Sequence, residues 1–241
     1  MAELKEIVKR IPGALPTYHF MEGISLRRRT PGDIFTEIFR RNLWRGAESV
    51  SGLGSSLAET AVIARELPVM WRDLGVHTVL DVPCGDFHWM SRVNMNDVEY
   101  TGADIVEDLV RQNARYEQPN VHFRKLDLMS DTMPKVDFVF CRDCLGHLCF
   151  RDAFAALHNI HASGSTYLLV STNPTVRRNI NIATGQSYWI NLQAAPFFLP
   201  PPIKLVDDKC GEPDKPCKGK MALWKVAAIA ECPVFRVPAR R

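Results

Sequence analysis

The sequence predicts an α/β fold, a mostly parallel seven-stranded sheet with helices on both faces and an antiparallel C-terminal strand pair. Short apolar runs that are typical of buried strands alternate with longer segments of helical periodicity along most of the 241 residues. With 46% hydrophobic residues, the chain can bury a large core. In a chain with this alternation, right-handed crossover connections place the strands parallel to one another. The carboxyl ends of the strands then lie at the same edge of the sheet.

Composition and charge exclude several classes of protein. The 30 basic and 27 acidic residues leave a net charge of +3, which is too small to indicate a nucleic-acid partner. No apolar run reaches the roughly 18–20 residues that span a bilayer, and residues 1–6 lack the apolar core of a signal peptide. The 7 cysteines lie mostly in apolar segments, as reduced thiols do. We therefore expect a cytoplasmic protein with neither a nucleic-acid nor a membrane partner.

The chain is predicted to form a helical lid segment, residues 1–55, followed by one domain, residues 56–241. Within the lid segment, residues 33–44 carry isoleucines and phenylalanines at helical spacing, which indicates a helix packed on a larger unit. Ser56 is a predicted helix cap and Gly75 the corresponding stop. The usual size of domains favours one domain over two.

Seven apolar runs are the predicted strands. In chain order they are residues 78–82, 100–104, 121–126, 136–140, 166–170, 203–206 and 222–226. Further helices are predicted at 106–116 and 150–162. Ligands of such sheets bind outside the carboxyl ends of the strands, so the residues that follow each strand are the candidates for function.

Acidic residues follow the first three predicted strands. Asp81 precedes a turn in which Gly85 permits a sharp bend and a close approach of backbone amides to a ligand. Asp104 ends the second strand, where a carboxylate can hold a ribose diol, and Asp127 follows the third. A nicotinamide site would need several glycines, and Asp86 beside the turn would repel its pyrophosphate. Carboxylates in this row favour a cationic ligand instead.

These motifs resemble those of the class I S-adenosylmethionine-dependent methyltransferases over residues 50–230. The resemblance implies a Rossmann-like fold, S-adenosylmethionine as the cofactor, a ribose contact at Asp104 and an adenine contact at Asp127. Pro83 and Phe87 stand where the family usually has glycine, so a stiffer turn is expected. The turn Pro-Cys-Gly-Asp-Phe, with residues 48–56 upstream, is similar to that of a bacterial subgroup.

Eleven cofactor-binding candidates are carried over from this resemblance. They are Trp44, Ser51, Gly52, Asp81, Cys84, Gly85, Asp104, Ile105, Asp127, Leu128 and Cys141. Trp44 has two interpretations, a lid contact with the cofactor or a hydrophobic anchor of the N-terminal helix.

The segment after the fourth strand carries the candidate chemistry. The Asn/Asp-Pro-Pro-Tyr/Phe motif of amino-directed enzymes is absent at residues 141–148, which favours a hydroxyl acceptor. His147 is the candidate general base, because imidazole titrates near neutrality. Asp143 could orient it if the segment is helical, or bind a divalent ion. The alternative for His147 is a packed ring that hydrogen-bonds backbone. The nearby cysteines do not form a zinc set, and no metal is predicted.

A long loop at residues 173–202 is the predicted substrate loop. Its amides and aromatic rings suit a carbohydrate or another polyhydroxylated acceptor, and its proline-stiffened apolar part suits a homodimer contact. The substrate-binding candidates are His88, Arg142, Asn179, Tyr188 and Asn191.

The predicted function is therefore methyl transfer to a hydroxyl oxygen of a small polar acceptor, with a sugar or glycoside as the first choice. Two alternatives stay open. One is an N- or C-methyltransferase of a small metabolite, and the other is a non-catalytic scaffold that binds S-adenosylmethionine.

Overall fold

The computed structural model describes residues 23–209, 217 and 219–232. The first 22 residues of the lid segment, Cys210 and the basic C-terminal residues lie outside the described part.

Seven strands form one sheet in the order β3-β2-β1-β4-β5-β7-β6. The strands are β1 (Thr78–Asp81), β2 (Glu99–Asp104), β3 (Val121–Lys125), β4 (Phe138–Cys141), β5 (Tyr167–Thr172), β6 (Lys204–Asp208) and β7 (Gly219–Lys225). The first five are parallel, and β7 runs antiparallel to both β5 and β6. The predicted fold class is confirmed, with strand ends that differ from the prediction by a few residues.

Residues 23–26 are helical, and α-helices with both ends in the described part of the chain are α1 (Pro31–Arg40), α2 (Leu57–Leu74), α3 (Glu107–Asn113) and α4 (Phe150–Ala162). The hydroxyl of Ser56 accepts the amide of Glu59 at 3.3 Å and so caps α2, as predicted. Gly75 ends α2 in the left-handed region, at φ 65°. Helix α1 buries Ile34 and Ile38, in line with the spacing that predicted it.

The sheet separates two apolar clusters, one on each face. Helix α4 packs on one face together with Leu192 and Phe197 of the 173–202 loop. Helix α2 packs on the other face, where Trp71 lies edge-on to Phe138 at 6.4 Å between ring centres. Because described residues cover both faces, the ends of the strands are where a ligand can reach this sheet.

None of the helices in the described ranges is long and apolar enough to cross a membrane. Five described cysteines are free, whereas Cys217 is in a disulfide. The expectation of reduced thiols is therefore wrong for Cys217.

Candidate active site

A cavity of about 460 Å³ opens at the carboxyl edge of the parallel strands. This volume lies in the range of about 300–1,000 Å³ that is usual for small-molecule sites. Its walls come from the strand-end turns, from α1, from residues 50–55 of the lid segment and from the substrate loop. Fourteen sequence-predicted residues line it: Trp44, Ser51, Gly52, Asp81, Cys84, Gly85, Asp104, Ile105, Asp127, Leu128, Arg142, Asp143, His147 and Tyr188.

Four other predicted residues do not line this cavity. Cys141 is fully buried in the core beneath α4. His88 lies with Nε2 3.7 Å from a carboxylate oxygen of Glu48. Asn179 and Asn191 are buried, and their amides hold the loop's own backbone: Asn179 Nδ2 donates to the Asn191 carbonyl at 2.8 Å, and Asn191 Nδ2 donates to that of Val176 at 2.9 Å. These two side chains satisfy backbone carbonyl groups of a long ordered loop, because buried polar groups need hydrogen-bond partners.

The turn after β1 contains a glycine whose replacement would strain the backbone and displace a neighbouring side chain. Gly85 has φ 56°, and a Cβ built on it would lie 2.3 Å from Oγ of Ser51. The Gly85 amide donates to Asp104 at 3.1 Å, and Asn113 Nδ2 donates to the Gly85 carbonyl at 2.7 Å. The amide and the carbonyl of Gly85 are thereby bonded to the end of β2 and the end of α3, respectively.

Asp81 and Asp104 are two buried carboxyl groups side by side in the cavity wall. Burial raises the pKa of Asp81 to about 8; the hydrogen bond from Tyr100 opposes this rise and the charge of Asp104 adds to it. Burial likewise raises the pKa of Asp104 to about 6, against the hydrogen bonds from the Val106 and Gly85 amides. A positively charged ligand would favour the ionised forms, so this wall suits a cation.

Asp104 and Asp127 each keep hydrogen-bonding capacity for a ligand. The carboxylate of Asp104 accepts one amide on each oxygen, from Val106 at 2.9 Å and from Gly85 at 3.1 Å. Each oxygen has a second lone-pair site. Asp127 accepts the Met129 amide on Oδ1 at 2.9 Å.

Asp86 anchors the lid segment. Its carboxylate accepts the hydroxyl of Ser49 at 2.9 Å and the amide of Val50 at 3.0 Å, and its own amide donates to the hydroxyl of Ser51 at 3.1 Å. The sequence indicated Asp86 as a compensating charge beside a cationic ligand. Asp86 lines the cavity, and its hydrogen bonds also hold residues 49–51 there.

His147 lines the cavity, and the α-helical segment that would let Asp143 orient it does not form. The segment Leu145–His147 is a 3-10 helix, and Asp143 precedes it in the left-handed region at φ 51°. The four-residue spacing therefore does not stack the two side chains as an α-helix would. Nδ1 of His147 lies 3.1 Å from the carbonyl oxygen of Gln186 instead. A carbonyl oxygen only accepts, so Nδ1 carries the proton and Nε2 keeps its lone pair.

The surroundings of His147 favour a neutral ring. Burial lowers its pKa, and the charge of Lys209 lowers it further, while Asp143 and the bond to Gln186 act in the opposite direction. The ring packs on Trp44 at 5.0 Å between ring centres. Trp44 also contacts Phe35 of α1 at 6.4 Å, so it both anchors that helix and lines the cavity.

Arg142 lines the cavity with Nε and one terminal nitrogen engaged, while the other terminal nitrogen lies 3.5 Å from a carboxylate oxygen of Asp143. Its Nε lies 3.1 Å from both carboxylate oxygens of Asp208, and one terminal nitrogen donates to the carbonyl of Gly54 at 2.7 Å. The guanidinium also lies over the ring of Trp89 at 5.5 Å. These contacts tie the lid segment to the ends of β4 and β6.

Sequence reasoning missed several residues of the cavity wall, among them Phe35, Phe39, Trp89, Ser171 and Lys209. The two phenylalanines had a usable signal, since they lie four residues apart on α1, beside the buried isoleucine pair. For Lys209 no local pattern was available, because its partner Asp143 is 66 residues away in the chain.

No cluster of three or more possible metal ligands is found among the described residues.

Comparison with known proteins identifies the fold. No protein-family model and no curated protein matches the sequence. Among solved structures, the chain is similar to magnesium protoporphyrin IX methyltransferase (ChlM) from Synechocystis PCC 6803 with bound SAH, at TM-score 0.54 and 13% identity over 78% of this chain and 93% of that one.

It is also similar to the methyltransferase domain of bacterial CtHen1, at TM-score 0.52 and 11% identity over 69% of this chain and 99% of that one. Human N-acetylserotonin methyltransferase (ASMT) in complex with SAM gives TM-score 0.50 and 13% identity over 69% of this chain and 52% of that one. Strand order, strand directions and these neighbours agree: the chain has the Rossmann-like fold of class I S-adenosylmethionine-dependent methyltransferases.

Proposed function

We propose that this protein transfers the methyl group of S-adenosylmethionine to a hydroxyl oxygen of a small polar acceptor, with a sugar or glycoside as the first choice. The observation that carries the proposal is the composition of one cavity. The carboxyl groups that suit a cationic nucleoside line it together with a neutral histidine and aromatic rings.

The residues present fit the cofactor. Asp104 would take the ribose hydroxyls and Asp127 the adenine amino group. Gly85 lines the cavity without a side chain, so its backbone can approach a ligand closely, and Asp81 would face the positive charges of the sulfonium and ammonium groups. Binding of a cation favours ionisation of Asp81 and Asp104, so affinity is expected to rise as the pH approaches 8.

When bound, S-adenosylmethionine would supply an electrophilic methyl group, and its sulfur would keep the electron pair of the carbon–sulfur bond that the acceptor oxygen replaces. His147 takes the hydroxyl proton on Nε2, because Nδ1 is held as a donor to Gln186. The rings of Trp44, Tyr188 and Trp189 would pack on the faces of the acceptor and exclude water.

Cofactor binding is tested by calorimetric titration with S-adenosylhomocysteine. We expect Asp104→Asn to weaken binding by about tenfold or more, as the loss of hydrogen bonds to a charged group implies. Asp137→Asn is the matched control, because Asp137 also accepts two backbone amides, from His77 and Thr78, but at the opposite ends of the strands. Failure of the wild-type protein to bind would reject the proposed function.

The chemistry is tested by an acceptor screen with labelled methyl donor against short oligosaccharides and phenols. His147→Gln is expected to lower kcat by about 10²- to 10⁴-fold with unchanged affinity for S-adenosylhomocysteine. Equal turnover by wild type and variant would remove His147 as the base, and methylation confined to amines would reject the hydroxyl acceptor.

A further inference from the structure

Two ion pairs connect the end of β4 to the end of β6, and the order of the charges is reversed between them. Arg142 binds the carboxylate of Asp208, and Nζ of Lys209 donates to Oδ1 of Asp143 at 2.8 Å. Strands β5 and β7 separate β4 from β6 in the sheet. The two ion pairs therefore span the carboxyl edge, and the Asp143–Lys209 pair lines the cavity.

Both residues of the Asp143–Lys209 pair have a left-handed backbone. Asp143 has φ 51° and Lys209 has φ 57°. For a residue such as lysine this region costs about 1–2 kcal/mol, and conformations of this kind persist at functional sites where the surroundings hold them. Here the amide of Asp143 donates to the hydroxyl of Ser171 at 2.9 Å, which secures the turn after β4.

The ammonium of Lys209 has donors left for a ligand. The side chain is 17% exposed, and Nζ lies 4.5 Å from the centre of the Trp189 ring. A lysine ammonium has three N–H donors. Asp143 is its only hydrogen-bond acceptor among the residues that the structure describes. The contacts with Asp143 and Trp189 therefore fix the position of the ammonium, and its remaining donors lie beside the cavity.

Lys209 lies close enough to His147 for its charge to act on the imidazole. Asp143 acts on the same ring with the opposite sign. The charges of Lys209 and Asp143 therefore both act on the imidazole of His147, and all three residues line the cavity.

We propose that Lys209 is a catalytic residue of this site, whose ammonium donates a hydrogen bond to the acceptor oxygen that His147 deprotonates. This inference rests on the proposed function. The ammonium would stabilise the negative charge that grows on the oxygen while its proton moves to Nε2 of His147. Lys209 keeps its own proton throughout, and Asp143 and Trp189 hold the ammonium in place. Such a group favours hydroxyl acceptors over amines, because it repels a protonated amine.

The test uses 4-nitrophenol, whose phenolate absorbs visible light while the undissociated phenol does not. It is titrated with pH in the presence of saturating S-adenosylhomocysteine and excess protein. We expect the pKa of the bound phenol to fall by about one unit, a tenfold change in ionisation. Lys209→Met should abolish this fall and Lys209→Arg should retain part of it.

Lys204→Met is the matched control, since Lys204 begins β6, the strand that Lys209 follows, and pairs with Glu66 at the surface. It should leave the phenol titration unchanged. An equal pKa of bound phenol in wild type and Lys209→Met would overturn the proposal, as would failure of the phenol to bind the wild-type complex.

Calorimetry on the same variants separates this inference from the proposed function. S-adenosylhomocysteine that binds wild type and Lys209→Met alike, with no difference in the phenol titration, overturns only the role of Lys209. Failure of wild type to bind S-adenosylhomocysteine overturns the proposed function itself. An NMR titration gives a readout besides activity: Lys209→Met should raise the pKa of His147, because the neighbouring positive charge is lost.

Discussion

The backbone of Gly85 and the hydroxyl of Ser51 lie so close together that a Cβ on Gly85 would displace the hydroxyl. A Cβ on Gly85 would stand 2.3 Å from Oγ of Ser51. That hydroxyl accepts the next amide of the turn, from Asp86, at 3.1 Å. The turn after β1 and the lid segment are therefore packed as one unit at the cavity.

Gly85→Ala is expected to destabilise the protein more than the same change at Gly75. Both glycines have positive φ, 56° and 65°, but nothing lies within 4 Å of a Cβ on Gly75. Gly75→Ala should thus cost only the backbone strain, about 1–2 kcal/mol. Gly85→Ala adds the clash with Ser51 and should also weaken binding of S-adenosylhomocysteine. Urea denaturation and calorimetry measure the two effects. Equal losses of stability would show that Ser51 moves away from the added Cβ at no measurable cost in free energy.

Asp86→Ala is expected to release residues 49–51 of the lid segment. The variant removes the acceptor of the Ser49 hydroxyl and of the Val50 amide. Hydrogen bonds to a charged group contribute about 1.5–3 kcal/mol, so exchange of the Val50 amide should become about tenfold faster or more. Hydrogen exchange read by mass spectrometry or NMR measures it. Asp97→Ala, at an exposed position, is the control. Unchanged exchange at Val50 would contradict the anchoring role of Asp86.

Arg142→Met is expected to be strongly destabilising. The change leaves the carboxylate of Asp208 buried without its partner, which typically costs about 3–5 kcal/mol. The double variant Arg142→Met/Asp208→Leu should recover much of this loss, because it removes both charges. Lys204→Met breaks an exposed pair and should change the free energy of unfolding by about 0–1 kcal/mol. Chemical denaturation measures all three, and a double variant no more stable than Arg142→Met would contradict this account.

Stability should respond to pH through Asp81. Its folded pKa of about 8 lies above its ordinary value, chiefly through burial. The stabilisation from the protonated group is therefore complete below about pH 4, and it is lost as the pH rises toward 8, by up to about 1.4 kcal/mol per unit. Asp81→Asn cannot ionise, so its stability relative to wild type should improve from pH 5 to pH 8.

Asp137→Asn is the control for this pH dependence. The pKa of Asp137 is lowered in the folded protein, because hydrogen bonds from His77 and Thr78 outweigh its burial. Its contribution is lost only as the pH falls through the acidic range, so its difference from wild type should stay flat between pH 5 and pH 8. A flat difference for Asp81→Asn as well would contradict the assignment to Asp81. Urea denaturation at each pH provides the measurement.

Much of the fold was predictable from the sequence because the responsible signals are local. A buried parallel strand is a short apolar run, a helix repeats its apolar residues every three or four positions, and Ser56 and Gly75 mark the ends of α2 within their own turns. The acidic strand ends followed from the same logic, since parallel strands end at one edge. Asp81, Asp104 and Asp127 do meet there.

The roles of the amide side chains in the substrate loop could not be predicted from the sequence. Asn179 and Asn191 looked like acceptor ligands in the sequence, yet they bind backbone carbonyls inside the loop. A polar side chain has the same sequence appearance whether it serves a ligand or a buried peptide group. Only the folded path of the chain tells the two apart.

The sequence by itself determined the sheet, the helices on both faces and the acidic row at the strand ends, because each depends on residues close together in the chain. Tertiary structure alone decided which groups surround His147 and Asp143 in the cavity. His147 is oriented by the carbonyl of Gln186, 39 residues away, and Asp143 by Lys209, 66 residues away. Such pairs depend on the order of strands in the sheet and the path of the substrate loop, neither of which leaves a local pattern. The physical reason is that hydrogen bonds and charges act over a few ångströms in space, whatever the separation in sequence.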